Sequence, residues 1–311
     1  MSASTKTAPL YGAHPSAATA LSLFTCSQTL SPYRVLVYNP ALPVLPDHRM
    51  FTPDQLTIIA EQLAHKPDRT QLVEVDGTPV IIKRLGIPLK HWSYPVLDTL
   101  ACVLCQPMLR AVPTPGSSAA QSIEIARLRA LATAGVSVPE VLHVTPHWFA
   151  ISFLGATSID QLLRQQAEQG LDYWESGLQA ILELHRLCQT ASQCFARNMI
   201  WHEGKVSFIN FEDNPSSVMP MASAQARDWL LYLHSTAYIL DIDAQQITQH
   251  FLHYLQQDGS DVQEEVMRAA RTFGWLRMLP KQHKPPSRDA MSVQATAQVL
   301  HLAARELKNR D

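Results

Sequence analysis

The apolar pattern of this chain is strand-rich with helical interruptions up to about residue 155 and mainly helical after it, and that order narrows the folds open to it. In the first part, "TQLVEVDGTPVIIKRL" holds two β-rich runs around Asp76-Gly77, a dipeptide that favours the tight turn of a hairpin. "HVTPHWFAISFLGAT" supplies a second strand pair, in which Phe149, Ile151 and Phe153 alternate. Helical stretches flank these strands. "TPDQLTIIAEQLAHK" starts with Thr52 as cap and Pro53 in the first turn, and sets Leu56, Ile59, Ala60 and Leu63 on one face. "QSIEIARLRALATAGVSVPEVL" reads as a helix ended by Gly135 and Pro139. From "SIDQLLRQQ" onward, apolar residues recur at spacings of three and four, and only the region from Met199 to Phe211 breaks into short strands. No repeat of solenoid period occurs.

The expected fold is therefore α+β and two-lobed, with a small strand-rich N-lobe containing one helix and a larger helical C-lobe. Residues 1–50 read as an N-terminal extension, 51–154 as the N-lobe with an apolar insert at about 86–116, and 155–311 as the C-lobe. With 311 residues, 46% of them hydrophobic and 17% charged, the chain can bury a substantial core. A net charge of -2, with Lys and Arg dispersed along the chain, lacks the footprint of a nucleic-acid binder. Five cysteines, an odd number, point to a reducing compartment rather than a disulfide framework. Cys102 and Cys105 have C-x-x-C spacing, but Val103 and Leu104 between them suggest an apolar helix face, and no second pair completes a zinc site. The polar N-terminus has no charged start leading into an apolar core, so a cytoplasmic location is expected. The stretch Tyr94–Val112 reaches membrane-spanning length only by including Asp98, Pro107 and Arg110, and is not expected to cross one.

Chemistry concentrates in "SQCFARNMIWHEGKVSFINFEDNP" and two residues upstream of it. A strand lysine that holds nucleotide phosphates, a helix glutamate that fixes it, and a loop asparagine with a strand-end acid that hold a metal are the parts of a phosphoryl-transfer site. Lys83, Glu124 and Asn198 fill the first three places in order, and Asn210 falls on the fourth.

On these residues the chain resembles the bacterial lipopolysaccharide kinase group, the Kdo/heptose kinase-like branch of the protein-kinase-like superfamily, over about residues 70–255. The matching stretches are "VIIKRL" with Lys83, "EIARLRALATAGVSVPEVL" with Glu124, "ELH" with His185, "ARNMI" with Asn198 and "FINFED" around Asn210. The resemblance implies an ATP-dependent phosphotransferase using Mg, with a sugar, glycolipid or protein acceptor. It also implies that Asp228, in "ARDWLLYLHS", braces the catalytic loop. Two departures stand out. The family's catalytic aspartate falls on Gln193 and its metal aspartate on Asn210. Glutamine can orient an acceptor hydroxyl but cannot take its proton near neutral pH, and an amide carbonyl is a poorer magnesium ligand than a carboxylate. Glu212 and Asp213 remain as acidic metal candidates beside Asn198 and Asn210. A slow phosphotransferase is the favoured reading, and a pseudokinase that binds nucleotide or a partner without catalysis is the alternative.

The hairpin "VEVDGTPV" has one glycine and no glycine-rich phosphate cradle, which argues against a eukaryotic-type protein kinase. In the insert, Trp92 and Tyr94 lie beside an apolar segment flanked by Lys90 and Arg110. That segment either packs on the N-lobe or, through residues 86–112, makes a peripheral contact with the inner face of the cytoplasmic membrane. Among thirteen histidines, His143 and His147 are separated by Pro146 in a strand context, and His250 and His253 sit on an amphipathic helix, so neither pair reads as a metal site. Cys194 reads as a buried, inert thiol.

Overall fold

Asp76 and Gly77 both take left-handed backbone angles, φ 49° and 74°, as the two central residues of a tight hairpin turn require. They join β1, Thr70–Val75, to β2, Thr78–Arg84, with Thr70 opposite Lys83. The second strand pair, β3 at Val141–Val144 and β4 at Trp148–Ser152, completes an antiparallel sheet of order β1-β2-β4-β3. The computed structural model describes residues 51–64, 68–85, 99, 102, 104, 106–112, 118–165, 167–278 and 288–309. The expected extension at 1–50 and most of the insert at 86–116, including Lys90, Trp92 and Tyr94, lie outside the described residues.

A capping box starts α1, Pro53–Ala64: the Gln55 N–H donates to Thr52 Oγ1 at 3.3 Å and the Thr52 N–H to Gln55 Oε1 at 2.9 Å. The helix buries Ile59 and Leu63 with Val73, Val75, Val80 and Ile82 on one face of the sheet. Ala60, expected on the same helix face, is exposed, because the stripe through positions 56, 59 and 63 leaves it at the edge. Strand alternation turns Ile81 and Lys83 to the opposite face. There α2, Ser118–Thr133, presents Glu124, Ile125 and Leu128. Gly135, at φ 87°, ends the run: its N–H bonds Ala132 O and the Val136 N–H bonds Leu131 O, the double bond pattern of a left-handed C-terminal cap.

The rest is helical: α3 (Ile159–Gln165), α4 (Gly170–Arg186), α5 (Met221–Thr236), α6 (Ala244–Leu255), α7 (Ser260–Phe273) and α8 (Arg288–Lys308). A separate hairpin, β5 at Met199–His202 and β6 at Lys205–Phe208, interrupts it between α4 and α5. Trp174, Leu178, Trp229, Tyr232 and Phe251 are fully buried here, and the same core continues through Leu128 and Leu131 of α2 into Phe149 and Ile151 of β4. Sheet and helices thus share apolar packing, which fixes α2 against both. This is the α+β arrangement that the sequence predicts, a small antiparallel sheet followed by a larger helical part.

The end of the insert differs from the packing expected of it. Arg227 on α5 donates to Met108 O at 3.1 Å and Arg110 O at 3.2 Å, and Gln106 Nε2 donates to Thr272 Oγ1 on α7 at 2.7 Å. Residues 106–112 therefore lie on the helical part, where Arg227 satisfies two of their carbonyls and Thr272 accepts from Gln106, rather than on the sheet. Among the described residues, no helix is long and apolar enough to cross a membrane.

Candidate functional site

Lys83 stands near the end of β2, opposite Phe149 of β4, on the sheet face covered by α2. Its Nζ lies 2.5 Å from Glu124 Oε1, with the lysine side chain 13% exposed and the glutamate 3%. A carboxylate this deeply buried needs a cationic partner, and β2 supplies it.

The loop after α4 is built on strained turns, with Cys188 at φ 52° and Ser192 at φ 66°. Asp228, wholly buried on α5, accepts the Ala191 N–H at 2.7 Å through Oδ2, the bracing contact expected of it. Asn198 closes the loop by donating from Nδ2 to Gln193 O at 2.9 Å, and its own carbonyl accepts the Ile209 N–H, tying the loop to the strand leading to Asn210. Asn210 holds φ 73°. Asparagine tolerates that region better than most side chains, which suits it to this corner.

Gln193 links the acidic and amide residues. Its Oε1 accepts from Asn210 Nδ2 at 3.1 Å, and its Nε2 faces Asp213 Oδ2 at 3.4 Å. The carboxylate partner settles which end of the glutamine amide points where. Asp213 is 5% exposed. Burial raises its pKa, against the lowering influence of Arg227, the Gln193 bond and Arg127. Glu212 is engaged elsewhere: its Oε2 pairs with Arg69 Nη2 at 3.0 Å. The structure thus gathers Gln193, Asn198, Asn210 and Asp213 into one network, with Lys83–Glu124 as a separate ion pair on the sheet side.

Magnesium prefers several anionic oxygens in octahedral array. Of the residues the sequence offers to a metal, Asn198 and Asn210 present neutral amides, Glu212 pairs with Arg69, and Asp213 faces Gln193 through Oδ2, leaving one buried carboxylate oxygen, Oδ1, without a hydrogen-bond partner. Among the described residues, no three His, Cys, Asp or Glu side chains converge. The donor set does not suit a divalent ion. What it can do is orient polar groups and present cations to an anion.

Sequence reasoning passed over three basic residues at this site. Arg127, three residues after Glu124 on the same helix, is 5% exposed and donates to Thr190 O at 2.5 Å and Ser192 Oγ at 3.3 Å. Its guanidinium also lies over the Phe211 ring, 5.6 Å from the centroid. Burial lowers its pKa, opposed by Asp228 and Asp213. The spacing of three from Glu124 was the available signal. Arg227 and Arg69 had none, since their partners are remote in sequence. Cys194 is fully buried, and burial pushes its thiol well above the ordinary range, as an inert thiol requires.

A hollow of about 880 Å³ between α4 and β6, lined by Asp172, Glu175, Glu183 and Lys205, contains none of the predicted site residues. The pocket at Lys83 is much smaller, lined by Arg69, Lys83, Glu124 and Phe149 among others. Chemistry rather than size makes the small pocket the candidate site, because it is lined by the buried Lys83–Glu124 ion pair.

No family model matches the chain. A protein of Haemophilus influenzae described as uncharacterized is 24% identical over 165 residues, spanning 52% of this chain and 67% of that protein. The crystal structure of aminoglycoside phosphotransferase APH(2'')-Ib with ADP bound aligns with 80% of this chain and 98% of its own, at 11% identity and a TM-score of 0.34. A superposition that loose carries no weight for function.

Proposed function

We propose that this chain is a kinase-fold nucleotide-binding protein, with ATP or ADP as ligand, whose phosphoryl transfer is crippled and whose role is nucleotide or partner binding. One observation carries the reading. Gln193 bonds to Asn210 and faces Asp213 while Glu212 pairs with Arg69, yet Lys83–Glu124 remains assembled. Lys83 would hold phosphate oxygens as an ammonium and Glu124 would orient it. The carboxylate beside Gln193, that of Asp213, is buried and turned toward the glutamine amide, and position 193 itself offers an amide that cannot take a proton from an acceptor hydroxyl, so positioning is left to help transfer. Thermal denaturation with ATP and with ADP tests this: both raise the melting temperature, and mass spectrometry finds the nucleotide unconverted after long incubation. Absence of any shift overturns the reading.

A second reading, slow phosphotransfer of the lipopolysaccharide kinase type to a sugar, glycolipid or protein acceptor, is supported by the Asp228–Ala191 and Asn198–Gln193 bonds, which fix the shape of the loop. Gln193 would then orient the acceptor hydroxyl, and residues 86–112 would bring the protein to a glycolipid at the inner membrane face. A phosphorylated product on incubating ATP with candidate acceptors would establish it, and a nucleotide-modified product would point to a different transferase.

A further inference from the structure

We infer that this site takes the phosphate groups of a nucleotide without a divalent metal, using Arg69 as a second cation beside Lys83. The inference rests on the nucleotide reading above and adds what neutralises the phosphates. Arg69 lies in the bend before β1, and its carbonyl accepts the Arg84 N–H at 2.8 Å, so it stands at the end of the sheet where β2 carries Lys83. Arg69, Lys83 and Glu124 line the same pocket. The bend sends the Arg69 guanidinium across to Glu212, two residues beyond Asn210, at 3.0 Å. Glu212, an acidic residue the sequence offers to a metal, instead holds an arginine.

Geometry leaves that arginine able to act. Its side chain is 48% exposed, and the Glu212 contact engages one nitrogen of a group with five N–H donors in a planar fork that suits phosphate. The amides complete the substitution. Two carboxylates and one divalent ion carry the same net charge as two amides and none, so replacing both acids removes the charge a metal would balance. Two carboxylates at the 3.1 Å separation of Gln193 Oε1 and Asn210 Nδ2 would repel without an ion, whereas the amides hydrogen-bond.

Titration calorimetry with ADP and ATP, once in EDTA and once in magnesium chloride, tests the inference on the full chain. The two Kd values are expected to agree within about twofold, well under the tenfold step that 1.4 kcal/mol represents. Arg69→Ala should weaken binding about tenfold in both buffers, the loss of one charge-assisted contact, and Arg69→Lys should weaken it less by keeping the charge. The double variant Gln193→Asp/Asn210→Asp should bind poorly in EDTA and recover with magnesium. Binding that needs magnesium in the wild type overturns the inference and leaves the nucleotide reading standing. Binding in EDTA that Arg69→Ala does not weaken overturns the role of Arg69. No binding in either buffer overturns the nucleotide reading and the inference with it.

Discussion

Glu124 is a carboxylate with a side chain only 3% exposed, and Lys83 is the group that makes that burial tolerable. Removing the lysine alone therefore does more than remove the proposed phosphate ligand. Lys83→Met should destabilise the fold by about 3 kcal/mol by stranding the glutamate, and Lys83→Met/Glu124→Leu should recover most of that loss. Denaturant unfolding of both variants checks it, and equal instability of the two would mean that the pair contributes little. Loss of nucleotide binding in the double variant, at recovered stability, then reports on the site rather than on folding. At this scale the elements that carry Lys83, Glu124 and Asn198 were legible, because each has a recognisable local pattern. Arg69 was not, because what distinguishes it is a partner, Glu212, that is remote in sequence.

Among the elements, α2 does the most to define the site, since one face of it presents Glu124 to β2 and Arg127 to the loop at Thr190 and Ser192. Its start and end could be read from sequence, as Gly135 supplies the left-handed cap. Its double engagement could not, because helical spacing places two residues on a face without saying what faces them. The packing of α4 on α5 offers a sharper test. A Cβ on Gly177 would lie 2.0 Å from the Tyr232 hydroxyl and 2.5 Å from its Cζ. Tyr232 is fully buried and donates to Trp174 O at 2.9 Å, so it has nowhere to move. Gly-to-Ala in a helix usually gains about 1 kcal/mol. Here Gly177→Ala should instead lower stability by about 2 kcal/mol through overpacking. Adding Tyr232→Phe should recover only part, because Cζ remains in the way. A rise in melting temperature for Gly177→Ala would show that α4 and α5 can separate.

Across the whole molecule, His185 joins three parts of the helical lobe. Its Nδ1 lies 2.7 Å from Asp258 Oδ2, in the turn between α6 and α7, and its Nε2 lies 3.4 Å from Asp228 Oδ2 on α5. Trp229 Nε1 donates to the same Asp258 oxygen at 2.7 Å. Burial opposes charging the imidazole, but the hydrogen bonds to Asp228 and Asp258, with the charges of both, outweigh it and raise the pKa to about 9. Since that lies above the ordinary value of 6.5, the stability contributed is fully present below 6.5 and is lost as pH rises through about 9. The loss should amount to about 3 kcal/mol. Unfolding free energies measured from pH 6 to 10 should fall across that window, and His185→Gln should flatten the fall. The residues of this cluster come from α4, α5 and the turn before α7, so no local pattern announced it. The order of strands and helices, the hairpin at Asp76-Gly77, the end of α2 and the amides at positions 193 and 210 follow from the sequence alone, because periodicity, turn chemistry and residue type are local properties. Only the tertiary structure decided that Glu212 holds Arg69, that Asp213 is buried against Gln193 and that Arg127 ties α2 to the loop. Those depend on which distant side chains meet when apolar surface is buried, and burial then makes each charged group find a partner.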